Sequence, residues 1–328
     1  MKAKISYTAR YLPERVLTNF DLEKMVDTTD EWIRSRTGIE KRHLVGEGEA
    51  TSDMCTMIAK QLLEKSGKAP EEIDLILIAT STPDYMVVST AALVQDKIGA
   101  INAWGYDIVA ACTGFVYAME TGSKLVESGQ YKNAMVIGAD TMSSIIDYTD
   151  RNTCVIFGDG GGGVLLEPSK DETGILDSIL HVDGSGSKYL TVPAGGSLHP
   201  ASKDTVDNKM HYVYQDGKTV FKFAVKNMAD VSKRILDRNQ LTGDDIKLFI
   251  PHQANQRIID AAAKRCGLAD EKVFININRY GNTTAGTIPI ALDEAVESKR
   301  LKKDDILLLA AFGGGFTWGS MLIQWSNK

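Results

Sequence analysis

Glu71-Glu72-Ile73-Asp74-Leu75-Ile76-Leu77 returns later in the chain as Asp244-Asp245-Ile246-Lys247-Leu248-Phe249-Ile250: two carboxylates, an isoleucine, then an apolar run, displaced by 173 residues (246 − 73). A second pair keeps nearly the same distance. Asn133-Ala134-Met135-Val136-Ile137-Gly138 is mirrored by Asp304-Asp305-Ile306-Leu307-Leu308-Leu309, displaced by about 171 (304 − 133). Equal displacements at separate segments imply an internal duplication. Both pairs are almost continuously apolar, as strands buried on both faces are, and such strands belong to mostly parallel sheets covered by helices. The fold class that follows is α/β, a duplicated fold of two similar halves, residues 1–172 and 173–328, with mixed, mostly parallel sheets. Chemistry is expected at the pseudo-twofold junction, where strand C-terminal ends from both halves meet.

The remaining signals fit that frame. Ile73–Thr80 reads as a buried strand, Thr51–Ser66 and Ala91–Ile98 as helices, and Asp21–Val26 as a short capped helix. Phe157-Gly158-Asp159-Gly160-Gly161-Gly162-Gly163 enters a strand; a dinucleotide-binding glycine motif opens a helix instead, so these glycines are read as close backbone packing. Residues 181–217, rich in Gly, Ser, Asp and Pro, read as an irregular excursion over the surface.

Composition excludes several classes. The 328 residues are 43% hydrophobic and 24% charged, with net charge −6, so the overall field does not attract nucleic acid or an anionic membrane. No apolar run reaches the roughly 18–20 residues of a membrane span, and the first residues carry no signal-peptide pattern, which makes the cytoplasm the default compartment. Cys55, Cys112, Cys154 and Cys266 lack metal-ligand or disulfide-framework spacing, so neither a zinc site nor a disulfide framework is indicated.

Three segments place polar groups at strand ends. Ala110-Ala111-Cys112-Thr113-Gly114-Phe115 lies between the run Tyr106–Val109 and a helical pattern over Val116–Glu127, so Cys112 sits where a strand hands over to a helix. There the helix N-terminus is expected to lower the thiol from its ordinary value of about 8.5 toward neutrality. On its own such a cysteine also fits an inert, buried small hydrophobe. Phe249-Ile250-Pro251-His252-Gln253-Ala254-Asn255 ends one buried strand and opens a helix. Tyr280-Gly281-Asn282-Thr283-Thr284-Ala285-Gly286-Thr287 is again a turn before a helix. Singly, His252 reads equally as a helix cap and Asn282 as a turn residue; together they form a constellation. Near the N-terminus, Trp32 and Arg36 share one face of a helix, a pairing that suits an adenine ring and a phosphate, or a surface tryptophan under an arginine stem.

These motifs, with Asp30-Glu31-Trp32-Ile33-Arg34-Ser35-Arg36-Thr37-Gly38-Ile39 and the terminal Phe312-Gly313-Gly314-Gly315-Phe316-Thr317-Trp318-Gly319, resemble the β-ketoacyl-acyl carrier protein synthase III family of thiolase-fold condensing enzymes, in order and spacing over nearly the whole chain. The resemblance implies a five-layer αβαβα fold. Elongating synthases use Cys-His-His, but His43, His181, His199 and His211 all lie outside the motif that holds Asn282; thiolases need a second cysteine where this chain has Ala310-Ala311-Phe312. Chalcone-synthase-like enzymes share Cys-His-Asn and fit the flanking motifs less well.

What the resemblance implies is a decarboxylating Claisen condensation that starts fatty acid synthesis, with an acyl-CoA (acetyl-CoA by default) and malonyl-acyl carrier protein as substrates. Cys112 would carry the acyl group, and His252 and Asn282 would stabilise the enolate. The N–H groups of Cys112 and Gly314 would form an oxyanion hole. Trp32 and Arg151 would sandwich the adenine, Thr28, Arg36 and Thr37 would reach phosphate or ribose, Asn255 would meet the pantetheine arm, and Phe221 and Phe312 would line the channel and acyl pocket. Arg257, Lys264 and Arg265 form a basic cluster beside His252 that suits an acidic carrier protein, or an ordinary solvated helix face. A homodimer is expected through the apolar strand near Asn133–Asp140, with the loop Met86-Val87-Val88 reaching into the partner's acyl pocket. Val87-Val88 stands where relatives carry Phe-Pro, and Thr283-Thr284-Ala285-Gly286-Thr287 where Thr-Ser-Ala-Ala-Ser is commoner. The first departure opens a second reading with a larger or branched primer; a third is a Cys-His thioester hydrolase.

Overall fold

The computed structural model describes residues 1–327. The first half supplies β1 (Ala3–Tyr11), β2 (Arg15–Thr18), α1 (Asn19–Leu22), α2 (Asp30–Thr37), β3 (Lys41–Leu44), α3 (Thr51–Ser66), β4 (Leu75–Ala79), α4 (Thr90–Ile98), β5 (Trp104–Ile108), α5 (Gly114–Glu127), β6 (Ala134–Asp140) and β7 (Gly160–Pro168). The second supplies β8 (Gly174–Val182), β9 (Leu190–Thr191), α6 (Lys203–Asp207), β10 (Tyr214–Gln215), α7 (Gly217–Arg238), β11 (Leu248–Pro251), α8 (Gln256–Cys266), α9 (Ile277–Tyr280), α10 (Thr287–Glu297), β12 (Ile306–Gly313) and β13 (Thr317–Gln324).

The two main sheets run β1-β7-β6-β4-β5 and β8-β13-β12-β11, and they correspond strand for strand. Leu75 and Leu248 open equivalent strands 173 residues apart (248 − 75), and Ala134 and Ile306 open the next pair 172 apart (306 − 134). Only the equivalent of β5 has dwindled, to a single bridge between Phe249 and Val273. In each sheet one strand, β7 or β13, runs against all the others, giving a mixed sheet in which most strands share a direction.

Strand residues alternate between two apolar environments. Leu75, Leu77, Leu307 and Leu309 face a central core with Phe115 and Met119 of α5 and Ile288 and Leu292 of α10, while Ile76 and Ile78 face α3 and α4 and Leu308 and Ala310 face α7 and α8. Helices therefore cover both faces of both sheets, with α5 and α10 shared in the middle: five layers. The glycine run of β7 makes this possible. A Cβ on Gly162 would lie 2.8 Å from the backbone of Pro289 and Ile290 at the start of α10, so glycine lets helix and strand touch.

Two expectations change. The helix placed at 21–26 is α1, Asn19–Leu22, set earlier because Thr18 and Asp21 cap each other's backbone N–H groups. The dimer contact expected through Asn133–Asp140 does not fit, because β6 is hydrogen-bonded to β4 on one edge and β7 on the other and is buried along its whole length. Of the sheet's two edge strands, β1 and β5, it is β5 that exposes large aromatics, Trp104 and Tyr106.

Candidate active site

Cys112 occupies the middle of a 3-10 turn, Ala111–Thr113, between β5 and α5, and the turn is tight enough to hold Ala111 at φ 45. Its equivalent in the other half, Thr284–Gly286 before α10, repeats the strain at Thr284 (φ 53), 173 residues on (284 − 111). Two reciprocal bonds tie the cysteine turn to the second sheet: Thr113 Oγ1 donates to Thr317 O (3.1 Å) and Thr317 Oγ1 to Ala110 O (3.0 Å). Gly313 leaves the approach clear, since a Cβ there would lie 2.8 Å from the Cys112 nitrogen.

Burial decides the thiol's chemistry. Cys112 is 6% exposed, and its pKa is pushed up to about 12, first by desolvation and then by the charge of Asp140, while a hydrogen bond with the Asn282 side chain pulls the other way. The acidification expected from a helix N-terminus is thus outweighed: a short turn precedes α5, and the thiol itself is almost wholly buried. Asp140, also buried, accepts from Ser81 N (2.7 Å), Ala285 N (3.1 Å) and the hydroxyls of Thr80 and Thr82, and burial lifts its pKa to about 6.

His252 follows β11 directly, and its N–H extends the parallel ladder by donating to Ala310 O at 2.7 Å. Burial drops its pKa to about 3, which keeps the imidazole neutral. Asn282 is held by backbone bonds on both sides, its N–H to Ile156 O (3.0 Å) and its carbonyl from Gly158 N (3.1 Å). The Asn282 Oδ1 accepts from Thr284 N at 2.9 Å, so the amide nitrogen is the end left to face the cavity. Cys112, His252 and Asn282 line one cavity of about 500 Å³. Cys112 also lines a second, apolar cavity of about 520 Å³ on its other side, with Met142, Ile145, Val192, Val213 and Gly314. The sulfur therefore sits at the neck between two chambers.

Trp32, Phe221, Asn255 and Phe312 line the first chamber, as do Met228 and Ala224 of α7. Arg151 lies over the Trp32 ring at 4.6 Å and near Asp27, so the two groups are together but stacked on one another; a sandwiched adenine must first displace the guanidinium. Thr28 is half-buried, with an Oγ1 that is shielded and unpartnered. Thr37 lines the chamber, but its hydroxyl is committed, donating to Ile33 O (2.6 Å) and accepting from Ile39 N (3.0 Å), so it is not free for a phosphate. Asn255 is similarly engaged: it caps α8 through Arg257 N and donates to Arg36 O at 2.9 Å, which docks α2 against α8 while the Arg36 side chain stays in solvent. Arg257 covers the Phe221 ring at 4.9 Å. Lys264 and Arg265 lie seven and eight residues further on, about 10–12 Å along α8, and Arg265 faces Asp230 at 3.6 Å, so of the three only Arg257 is beside the site. Val87, 96% exposed, lines neither chamber of its own chain.

Sequence reading missed Gln253 and Thr287. The Gln253 amide bridges Pro251 O and Phe274 O on one side and accepts from Asn276 N and Ile277 N on the other, pinning the histidine turn. Thr287 contacts His252 Nδ1. Both stand inside motifs already singled out, but only their side-chain partners, distant in sequence, give them a role.

A buried cysteine at a chamber neck, with a neutral histidine and an oriented amide in a five-layer duplicated fold, defines a thiolase-fold enzyme of the acyl-transferring, condensing class. Models of 3-oxoacyl-[acyl-carrier-protein] synthase III and of its C-terminal part match residues 106–184 and 236–325. Similar chains include the β-ketoacyl-[acyl-carrier-protein] synthase III of Chlorobium luteolum, 57% identical over 99% of this chain and 100% of that one, and that of Koribacter versatilis, 55% identical over 99% and 98%. Among solved structures, the 3-oxoacyl-[acyl-carrier-protein] synthase III of Aquifex aeolicus superposes with a TM-score of 0.91 at 43% identity, covering 98% of this chain and 100% of its own. The chain belongs to the β-ketoacyl-acyl carrier protein synthase III family.

Proposed function

We propose that the protein condenses an acyl-CoA primer with malonyl-acyl carrier protein, giving 3-oxoacyl-acyl carrier protein, CoA and carbon dioxide, and so initiates fatty acid synthesis. The observation that carries this reading is Cys112 at the neck between two chambers, with the neutral His252 and the Asn282 amide on one side. The Cys112 sulfur attacks the primer thioester; its proton leaves with CoA, and the acyl group stays on the sulfur. Malonyl thioester then enters the first chamber and loses carbon dioxide. Charge that develops on its carbonyl oxygen is held by N–H groups of His252 and Asn282, both of them neutral donors in this site. The carbanion attacks the acyl-cysteine carbonyl, whose oxygen is held by the N–H groups of Cys112 and Gly314, and the Cys112 sulfur is expelled. No metal or redox cofactor enters the scheme.

The first chamber serves the CoA and pantetheine arms, with Trp32, Phe221, Asn255 and Phe312 as its walls and Arg36, Arg151, Lys218 and Thr28 near or along its rim. Arg257 is the cation best placed to meet an acidic carrier protein, with Lys264 and Arg265 as outlying contacts. The protein works as a homodimer of soluble chains in the cytoplasm, associating through the β5 edge, so that Val87 of the partner subunit reaches toward the second chamber.

The second chamber measures about 520 Å³ in a single chain and is open on the side the partner subunit would cover, so the primer it accepts is set in the dimer and is read directly by experiment. The experiment is a panel of acetyl-, isobutyryl- and octanoyl-CoA, read first as an adduct on Cys112 by intact mass and then as carbon dioxide and 3-oxoacyl product after malonyl-acyl carrier protein is added. Free acid without carbon dioxide would indicate a thioester hydrolase and sink the condensation reading.

A further inference from the structure

We propose that Thr287 is a positioning residue that fixes the tautomer of His252, holding its proton on Nε2 so that the ring donates into the first chamber and does not act as a base there. The inference rests on the condensation reading above and deepens it. His252 Nδ1 and Thr287 Oγ1 are 2.7 Å apart, and both residues are almost wholly buried, His252 at 1% and Thr287 at 3% exposure.

Two proton arrangements satisfy that contact. In one, the threonine hydroxyl donates to Nδ1, leaving the proton of the neutral ring on Nε2. In the other, Nδ1–H donates to the hydroxyl, which must then pass its own proton to another acceptor, and the acceptor in reach is Thr284 O at 3.3 Å. That is beyond the roughly 2.5–3.0 Å of a good O–H···O bond, whereas 2.7 Å suits a hydroxyl donating to nitrogen. Both arrangements make the 2.7 Å bond, but only the first puts the buried hydroxyl proton in it; the second leaves that proton with nothing better than the stretched contact to Thr284 O. Desolvation removes water as an alternative partner for either atom.

The placement of Thr287 adds to the argument. It is the first residue of α10, five positions after Asn282, and the turn between them carries the amide of Thr284 that orients Asn282. One short segment therefore aims both donors: Thr284 N turns the Asn282 oxygen away from the cavity, and Thr287 Oγ1 turns the lone pair of His252 away from it. The consequence is a division of labour in which His252 cannot take the Cys112 proton, so acylation does not depend on it while decarboxylation does.

The test compares Thr287→Val, which keeps shape and removes the hydroxyl, with Thr287→Ser, which keeps the hydroxyl. Carbon dioxide release from malonyl-acyl carrier protein is expected to fall at least tenfold in the Val variant and to return to within about threefold of wild type in the Ser variant, while Cys112 still acylates to completion in both. Nitrogen-15 NMR of the histidine ring, assigned with His252→Ala, is expected to show a single Nε2–H tautomer in wild type and loss of that fixed state in Thr287→Val. A wild-type ring protonated at Nδ1 overturns the proposal, as does a Val variant that decarboxylates at the wild-type rate or one whose acylation falls in step with decarboxylation. If the Val variant fails to fold, the wild-type tautomer and the Ser variant still decide. An Nε2–H ring in a protein that releases no carbon dioxide counts against the condensation reading and leaves the tautomer lock standing.

Discussion

At the residue scale, the three polar side chains divide the reaction between them, and their environments say how. Cys112→Ser is expected to abolish the acyl adduct, because a serine hydroxyl in the same buried position has no thiolate to offer. His252→Ala and Asn282→Ala are expected to keep the adduct and to lose decarboxylation by about 100- to 1000-fold, the cost of removing one donor from an oxyanion site; malonyl-dependent carbon dioxide release and intact mass, measured on the same samples, separate the two steps. The thiol's pH dependence follows from its burial. With the folded pKa at about 12, the thiolate is a minor species at neutral pH and grows tenfold with each unit, so the single-turnover acylation rate is expected to climb about tenfold per unit from pH 6 to 9 without a plateau. A plateau near pH 7 would show that bound substrate acidifies the thiol. Sequence alone pointed the other way here. A helix N-terminus is legible in Ala111-Cys112-Thr113-Gly114, but the buried Asp140, 28 residues later in the chain (140 − 112), is invisible as a neighbour until the strands are aligned. Thr37 and Asn255 are the same lesson in reverse, since their residue types fit a ligand and their hydrogen bonds are already used by the fold.

At the element scale, the site exists because two turns before two central helices are pressed against two strands at glycine contacts. A Cβ on Gly138 of β6 would lie 2.4 Å from Ala285 O, in the turn that carries the Asn282 and Thr287 contacts. Gly138→Ala must push that turn outward or leave the strand bent, and overpacking of this kind costs about 1–3 kcal/mol. The expected outcome is a melting temperature lower by several degrees together with a loss of decarboxylation larger than the loss of acylation, since the displaced turn serves Asn282 and His252. Gly196→Ala, with nothing within 4 Å of the added carbon, is the control and should melt like wild type. The strands and helices that build this arrangement were legible because each carries its own periodicity: Thr51–Ser66 is observed with the bounds the pattern assigns it, and Asn133–Asp140 within one residue. The glycine run was legible as close packing, though not which helix it packs against. Residues 181–217 read as irregular, and they fold into short pieces, β9, α6 and β10, whose pairing no local pattern encodes.

At the scale of the whole molecule, duplication explains both what the sequence disclosed and what it hid. Two displaced copies of one apolar pattern were enough to give two sheets and a junction, yet they could not say which strands lie at an edge, because edge and centre look alike in a run such as Ala134–Asp140. The structure leaves β5 at the edge, and β5 reads as polar and aromatic where β6 reads as core. Trp104 is 43% exposed, and Val109, just past the strand, is 78% exposed while also lining the second chamber. An edge strand with one free side and exposed aromatics invites pairing with a second copy, and a partner seated there would cover the chamber beside Val109. Trp104→Glu places a charge on that edge without touching the cysteine turn. It is expected to convert an assembly of two 35.8 kDa chains to single chains in sedimentation velocity, and, because the chamber then loses its cover, to flatten the preference among acetyl-, isobutyryl- and octanoyl-CoA in the acylation assay. A variant that stays dimeric removes β5 from the interface. One that becomes monomeric with primer preference intact shows that a single chain bounds its own acyl chamber, and that Val87 does not set its size.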